Sequence, residues 1–164
     1  MVSYKDLLVS VNRRPKLKLL LRAVDIIAVI LTVISYAVII VATAINDLYF
    51  AMKLIVVCGV AFVVVSLLRK IVDAPRPYEL YSDIYVVPPK RREGCSFPSR
   101  HAFSIFAIGT ELAFICPAAS VVILFLGIAL SISRVLLGKH FIRDVLAGAL
   151  VGIVTSIIGM IIMI

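Results

Sequence analysis

Residues 24 to 45, VDIIAVILTVISYAVIIVATAI, form one apolar run, close in length to the ~20 residues an α-helix needs to cross the hydrocarbon of a bilayer. After a break of only Asn46 and Asp47, a second run extends from Leu48 to Leu68 and carries one charge, Lys53. So short a connection makes the two helices antiparallel neighbours. Further along, His101 to Cys116 and Ala118 to Ser133 are shorter apolar runs held apart by Pro117, which has no amide hydrogen to give to a helix. The last run, Ile142 to Ile164, is apolar apart from Arg143 and Asp144 at its start. The pattern predicts an all-α, polytopic membrane helix bundle with about five transmembrane helices over residues 24–164, preceded by a basic interfacial segment over 1–23.

Composition agrees with this reading and narrows it. With 63% hydrophobic residues, 16% charged residues and a mean hydropathy of +1.16, the chain lies far outside the range of soluble domains. Its net charge of +8 suits anionic headgroups or phosphate esters, and the apolar composition argues against nucleic acid as a partner. Three cysteines, Cys58, Cys95 and Cys116, make neither a disulfide framework nor a zinc pattern and read as free thiols. Near the N-terminus, Lys5, Arg13, Arg14, Lys16, Lys18 and Arg22 alternate with leucines in the manner of an interfacial helix. Pro15 and Lys16 delay the apolar run and no small-residue cleavage site ends it, so the segment reads as retained rather than as a signal peptide.

The polar chemistry is concentrated where the second run meets the third and the fourth meets the fifth, and in an antiparallel bundle both connections fall on one face. Arg69 and Arg76 are seven residues apart, about two helical turns, until Pro75 and Pro77 end the helix. Two guanidiniums on one face make a phosphate clamp; equally, Arg69 and Lys70 are the interfacial anchors expected at a helix end. Ser99 is suited to cap a helix whose free amides would face an anion, with His101 in its first turn. The plainer reading is a capped helix with an interfacial histidine. His140 and Asp144 are spaced i, i+4 and share a helix face. A carboxylate on one ring nitrogen leaves the other free as a base or nucleophile; a simple ion pair at a helix start is the alternative. Arg134 and Lys139 on the same connection favour an anion site.

Taken together, these elements resemble the type 2 phosphatidic acid phosphatase (PAP2) family over about residues 48 to 150. The family pattern is Lys, six residues, Arg-Pro; then Pro-Ser-Gly-His; then Ser-Arg, five residues, His, three residues, Asp. The third motif is complete as Ser133, Arg134, His140 and Asp144, and the second reads Pro98, Ser99, Arg100, His101. The first reads Arg69, six residues, Arg76 and Pro77. Two departures stand out: Arg69 replaces Lys, with Lys70 one residue away, and Arg100 replaces Gly. The resemblance implies hydrolysis of a lipid phosphate without metal or cofactor, through a phosphohistidine on His140 oriented by Asp144. His101 would serve the leaving group, and Arg69, Lys70, Arg76, Ser99, Arg100 and Arg134 would hold phosphate. The implied substrates are isoprenoid (for example undecaprenyl) phosphates or diphosphates, or glycerolipid phosphates such as phosphatidate and phosphatidylglycerol phosphate. A catalytically weak lipid-phosphate binder or carrier, or a transferase to an acceptor other than water, would use the same residues.

Three further expectations follow from residue positions. The N-terminal segment and the motif connections lie on the same face, which collects every basic residue but Lys53 and is cytoplasmic by the positive-inside rule; many members of the resembled family work on the outer or luminal face. Lys53 and Glu111, about 24 and 15 Å from that face at ~1.5 Å per residue, are expected to pair inside the membrane. The connection YELYSDIYVVPPKRREG, residues 78–94, is expected to cover the site. No oligomeric state follows from the sequence.

Overall fold

The computed structural model describes residues 3–84 and 93–162, and the described residues contain seven helices: α1 Tyr4–Asn12, α2 Pro15–Asn46, α3 Leu48–Val72, α4 Pro77–Leu80, α5 Arg100–Ala113, α6 Pro117–Leu136 and α7 Ile142–Ile162. Each of the five apolar runs forms a helix over most of its described residues. Helices α2, α3, α6 and α7 are long and apolar enough to cross a membrane. Helix α5 has 14 residues, about 21 Å of helix, and is largely buried against α2, α3, α6 and α7. Protein rather than lipid surrounds it. Large apolar side chains such as Ile30, Val41, Val63, Phe125 and Leu150 are exposed on the outer helices, the surface expected of a chain solvated by acyl chains. The chain is an integral membrane protein.

Helix boundaries follow local chemistry. Pro15 opens α2 nine residues before the apolar run, because proline at the first helical position has its φ already set and loses no hydrogen bond there. Lys16, Lys18 and Arg22 therefore sit on the first two turns of a 32-residue helix. Asp47 alone separates α2 from α3, with Oδ1 accepting from the Phe50 amide at 2.9 Å. Pro117 begins α6 rather than interrupting it.

Lys53 and Glu111 do not pair. Lys53 Nζ donates to the Met160 carbonyl at 2.6 Å, placing a cation on the negative end of α7. Glu111 is buried beside Tyr36 and Cys58. The two residues face different seams of the bundle, since α3 presents Lys53 to α7 and Cys58 to the α2–α5 side.

The seam that matters most for the site joins α5 to α7. A Cβ on Gly148 would lie 2.4 Å from the Ser99 carbonyl oxygen, and one on Gly152 would lie 2.5 Å from that of Phe103. One turn further on, Ser156 Oγ donates to the Ala107 carbonyl at 3.2 Å. Small residues at four-residue spacing let two backbones touch where the lipid environment supplies little hydrophobic drive between helices. We expect Gly152→Val to lower the thermal unfolding midpoint in detergent, overpacking against backbone costing about 1–3 kcal/mol. Gly59→Ala, whose new methyl meets nothing within 4 Å, is expected to leave the midpoint unchanged or raise it.

Candidate active site

The polar residues converge at one end of the bundle, where the segment leading into α5 meets the α6–α7 connection. That segment is stapled to the end of α3. Asp73 Oδ1 accepts from the Cys95 amide at 3.0 Å, the Gly94 amide donates to Glu79 Oε1 at 2.9 Å, and the Ser96 amide donates to the Ala74 carbonyl at 2.8 Å. Gly94 has φ of +64°, and a Cβ there would lie 2.2 Å from Asp73 Oδ1, so the close approach requires glycine. Arg76 Nε donates to the Gly94 carbonyl at 3.0 Å. Residues 85–92, the middle of the expected cover over the site and including Lys90, Arg91 and Arg92, fall outside the described residues.

Arg69 is buried, and its Nη1 donates to the carbonyls of Ser96 (3.3 Å) and Pro98. In this structure the guanidinium braces the loop of the second motif, whereas the sequence pointed it at phosphate. A planar fork can reach two carbonyls at once, which a lysine ammonium does less readily. Ser99 caps α5, its Oγ accepting from the Ala102 amide, while its own amide donates to the Asp144 carbonyl at 2.8 Å. The Ser99 hydroxyl thus caps α5 while its amide joins α5 to α7.

His140 precedes α7 and Asp144 lies in its first turn, both fully buried. Their closest approach, Nδ1 to Oδ2, is 3.7 Å, too long for a hydrogen bond. Ser96 stands between them: its Oγ donates to Asp144 Oδ2 and lies 3.4 Å from His140 Nδ1. A hydroxyl has one hydrogen to give. With that hydrogen on Asp144, Ser96 Oγ can only accept from His140, which places the ring proton on Nδ1 and the lone pair on Nε2. Asp144 Oδ2 also accepts from the Phe141 amide at 2.9 Å. Burial pushes the His140 imidazole below its ordinary pKa of 6.5; the charges of Arg76 and Arg134 act in the same direction and Asp144 opposes them.

Arg134 is buried near the end of α6, and its guanidinium is held by Asp25 of α2. Nε lies 2.8 Å from Asp25 Oδ1, and Nη2 donates to Oδ2 at 3.3 Å. Lys139 Nζ reaches the same Oδ2 at 2.6 Å. The anion that Arg134 and Lys139 share in this structure is therefore a carboxylate of the chain itself. His101 is exposed at the start of α5, and the charges of Arg134, Asp25, Lys139 and His140 all act on it. Arg100 lies over the Phe62 ring, 5.7 Å from its centroid. Lys70 is exposed, a step of about 100° around the helix from buried Arg69, and is not among the polar contacts that join the motifs. Ser133 Oγ is turned back to the Leu130 carbonyl.

Below His101 and Arg100 an apolar groove of about 250 Å³ runs between α2, α3, α5 and α6, lined by Val29, Thr32, Val33, Phe62, Ile108 and Leu130 among others. A neutral imidazole with one free ring nitrogen, beside Arg76, Arg134 and a second histidine, is the equipment of nucleophilic attack on an anionic centre. Among the described residues, no group of three or more His, Cys, Asp or Glu side chains is placed to hold a metal ion. Sequence reasoning passed over Ser96 and Asp25. Ser96 carries no spacing signal. Asp25 does carry one, an acid inside a run long enough to span lipid, where a charge needs a partner.

A profile of the PAP2 superfamily matches residues 50–163. No curated protein sequence matches the chain. Among solved structures, the chain is similar to LpxE of Aquifex aeolicus, with a TM-score of 0.72, 23% identity, and coverage of 94% of this chain and 93% of that one. It is also similar to a transmembrane PAP2-type phosphatidylglycerolphosphate phosphatase of Bacillus subtilis, with a TM-score of 0.73, 20% identity, and coverage of 97% and 82%. At these identities the two structures speak for the fold, while the profile, covering more than half the chain, speaks for the family. The chain belongs to the PAP2 superfamily, and is a membrane-embedded phosphatase of that family.

Proposed function

We propose that the chain releases phosphate from a lipid phosphate or diphosphate by two displacements through His140. In the first, the Nε2 lone pair attacks phosphorus, the bond to the leaving oxygen breaks, and His101 gives that oxygen a proton. In the second, water attacks the phosphohistidine, His101 takes the proton, and the phosphorus–nitrogen bond breaks to return neutral imidazole and free phosphate. Arg76 and Arg134 stabilise the phosphoryl oxygens, the main requirement of such transfers. Arg69 and Ser99 hold the loop and helix that present His101. The observation that carries this reading is the Ser96 bridge between His140 and Asp144, since it leaves the nucleophilic nitrogen unprotonated. The adjoining apolar groove supports a lipid tail entering from the bilayer, and both isoprenoid and glycerolipid phosphates have tails of that character.

Phosphate release from a panel of such lipids, with chelator present, is expected from the wild type and abolished in His140→Ala. Ser96→Ala is expected to lower kcat/KM about tenfold, the effect of one hydrogen bond of about 1.4 kcal/mol. A short water-soluble phosphate ester turned over as well as the lipid would overturn the tail assignment.

Because burial lowers the affinity of His140 for a proton, its neutral form persists as pH falls through 6.5 and is lost only below. The acid limb of kcat/KM is therefore expected below pH 6.5, measured on a substrate whose own phosphate titration is known; a limb above pH 7 would contradict it.

The site faces the cytoplasm in this proposal, because α1 and the basic first turns of α2 lie at the same end of the bundle. Tyr4 Oη donates to the Val135 carbonyl at 3.0 Å and packs near Phe141, which fixes α1 at that end. Cys95 is partly exposed at the site, Cys116 lies at the opposite end, and Cys58 is buried. In Cys116→Ser, a membrane-impermeant maleimide is expected to label Cys95 in inverted vesicles and not in intact cells; the reverse pattern puts the site outside.

A further inference from the structure

We propose that Asp25, on the first long apolar helix, is a positioning residue of the phosphate site: its carboxylate sets the plane of the Arg134 guanidinium and holds Lys139 beside it. This rests on the phosphatase reading above. Asp25 lies outside residues 50–163, where the family profile matches, and α2 carries none of the three motifs.

The geometry is specific. Asp25 is buried, with 5% of its surface exposed, and faces Arg134 side-on: Oδ1 makes an ion pair with Nε at 2.8 Å that is not aligned as a hydrogen bond, and Oδ2 accepts from Nη2 at 3.3 Å. A guanidinium has five N–H donors in a rigid plane. A hydrogen bond and an ion pair along one edge of that plane restrict its rotation and direct the remaining donors away from α2. A single contact, or one to a freely rotating group, would leave the plane undetermined. The second oxygen of the carboxylate also receives Lys139 at 2.6 Å, so one negative charge is shared between two positive ones. The cluster keeps a net charge of +1, which serves an anionic substrate while avoiding two unpaired cations among apolar helices.

A buried ion pair that only holds helices together would look similar in outline, and kinetics separates the two. With purified protein in detergent and the lipid phosphate that the wild type hydrolyses best, Asp25→Asn is expected to lower kcat 10- to 100-fold, as small misplacements of a clamp do. KM is expected to change less than threefold. In an Arg134→Ala background the same substitution is expected to change kcat less than twofold, because the residue through which Asp25 acts is gone. Asp25→Asn with kcat within twofold of wild type, or an equal loss in both backgrounds, overturns the proposal. Should Asp25→Asn not fold, Asp25→Glu carries the test: it keeps the charge and moves the carboxylate by one methylene. It is expected to keep the wild-type unfolding midpoint while losing at least tenfold in kcat; full activity would overturn the proposal. A wild type that releases phosphate from no lipid overturns the phosphatase reading instead. In that case Asp25 is read from orthovanadate binding by thermal shift, where Asp25→Asn is expected to need at least ten times more vanadate for the wild-type shift, and an unchanged requirement overturns the proposal.

Discussion

The contact between α5 and α7 is the constraint on which the rest of the site depends. Gly148 and Gly152 bring the α7 backbone against carbonyls of Ser99 and Phe103, and at that separation the Ser99 amide reaches the Asp144 carbonyl. The second motif begins α5 and the third begins α7. Their alignment to within a hydrogen bond is set by how closely two helices approach, a distance governed by the absence of side chains rather than by any attractive pair. In a bilayer, where burying an apolar face against another helix gains little over burying it in lipid, backbone contact of this kind is a principal source of association.

Charge inside the bundle follows a second rule, that the buried cations find partners close at hand. Arg69 is spent on loop carbonyls, Lys53 on the carbonyl end of α7, and Arg134 and Lys139 on Asp25. Such pairing offsets the cost of removing ions from water and also immobilises them. An immobilised guanidinium is useful for phosphoryl transfer, because donors already aimed need no reorganisation when charge develops on the phosphoryl oxygens. The buried cations thus answer two demands with one arrangement. Glu111, beside Tyr36 and Cys58, stands apart from these pairs.

The division between what was legible in the sequence and what was not follows the range of the interactions. Five apolar runs and the cap at Ser99 depend on residues a few positions apart, and spacing alone places them; the i, i+4 spacing brings His140 near Asp144, but His140 precedes α7 instead of sharing its face, and Ser96 links the two. The end of α5 at Ala113 rather than Cys116, and the start of α2 at Pro15 rather than Val24, differ because hydropathy marks lipid contact whereas capping and proline chemistry mark helix ends.

What the sequence by itself determined is the membrane bundle, the family, and the motif residues proposed for the site, because chain composition, helix period and motif spacing are all local properties. Only the tertiary structure decided the direction in which those side chains are spent: Arg69 toward a loop, Lys53 away from Glu111, Ser96 between His140 and Asp144, and Asp25 onto Arg134 across 109 residues of chain. The physical reason is that a buried polar group takes whichever partner packing brings within about 3 Å, and packing is a property of the whole bundle.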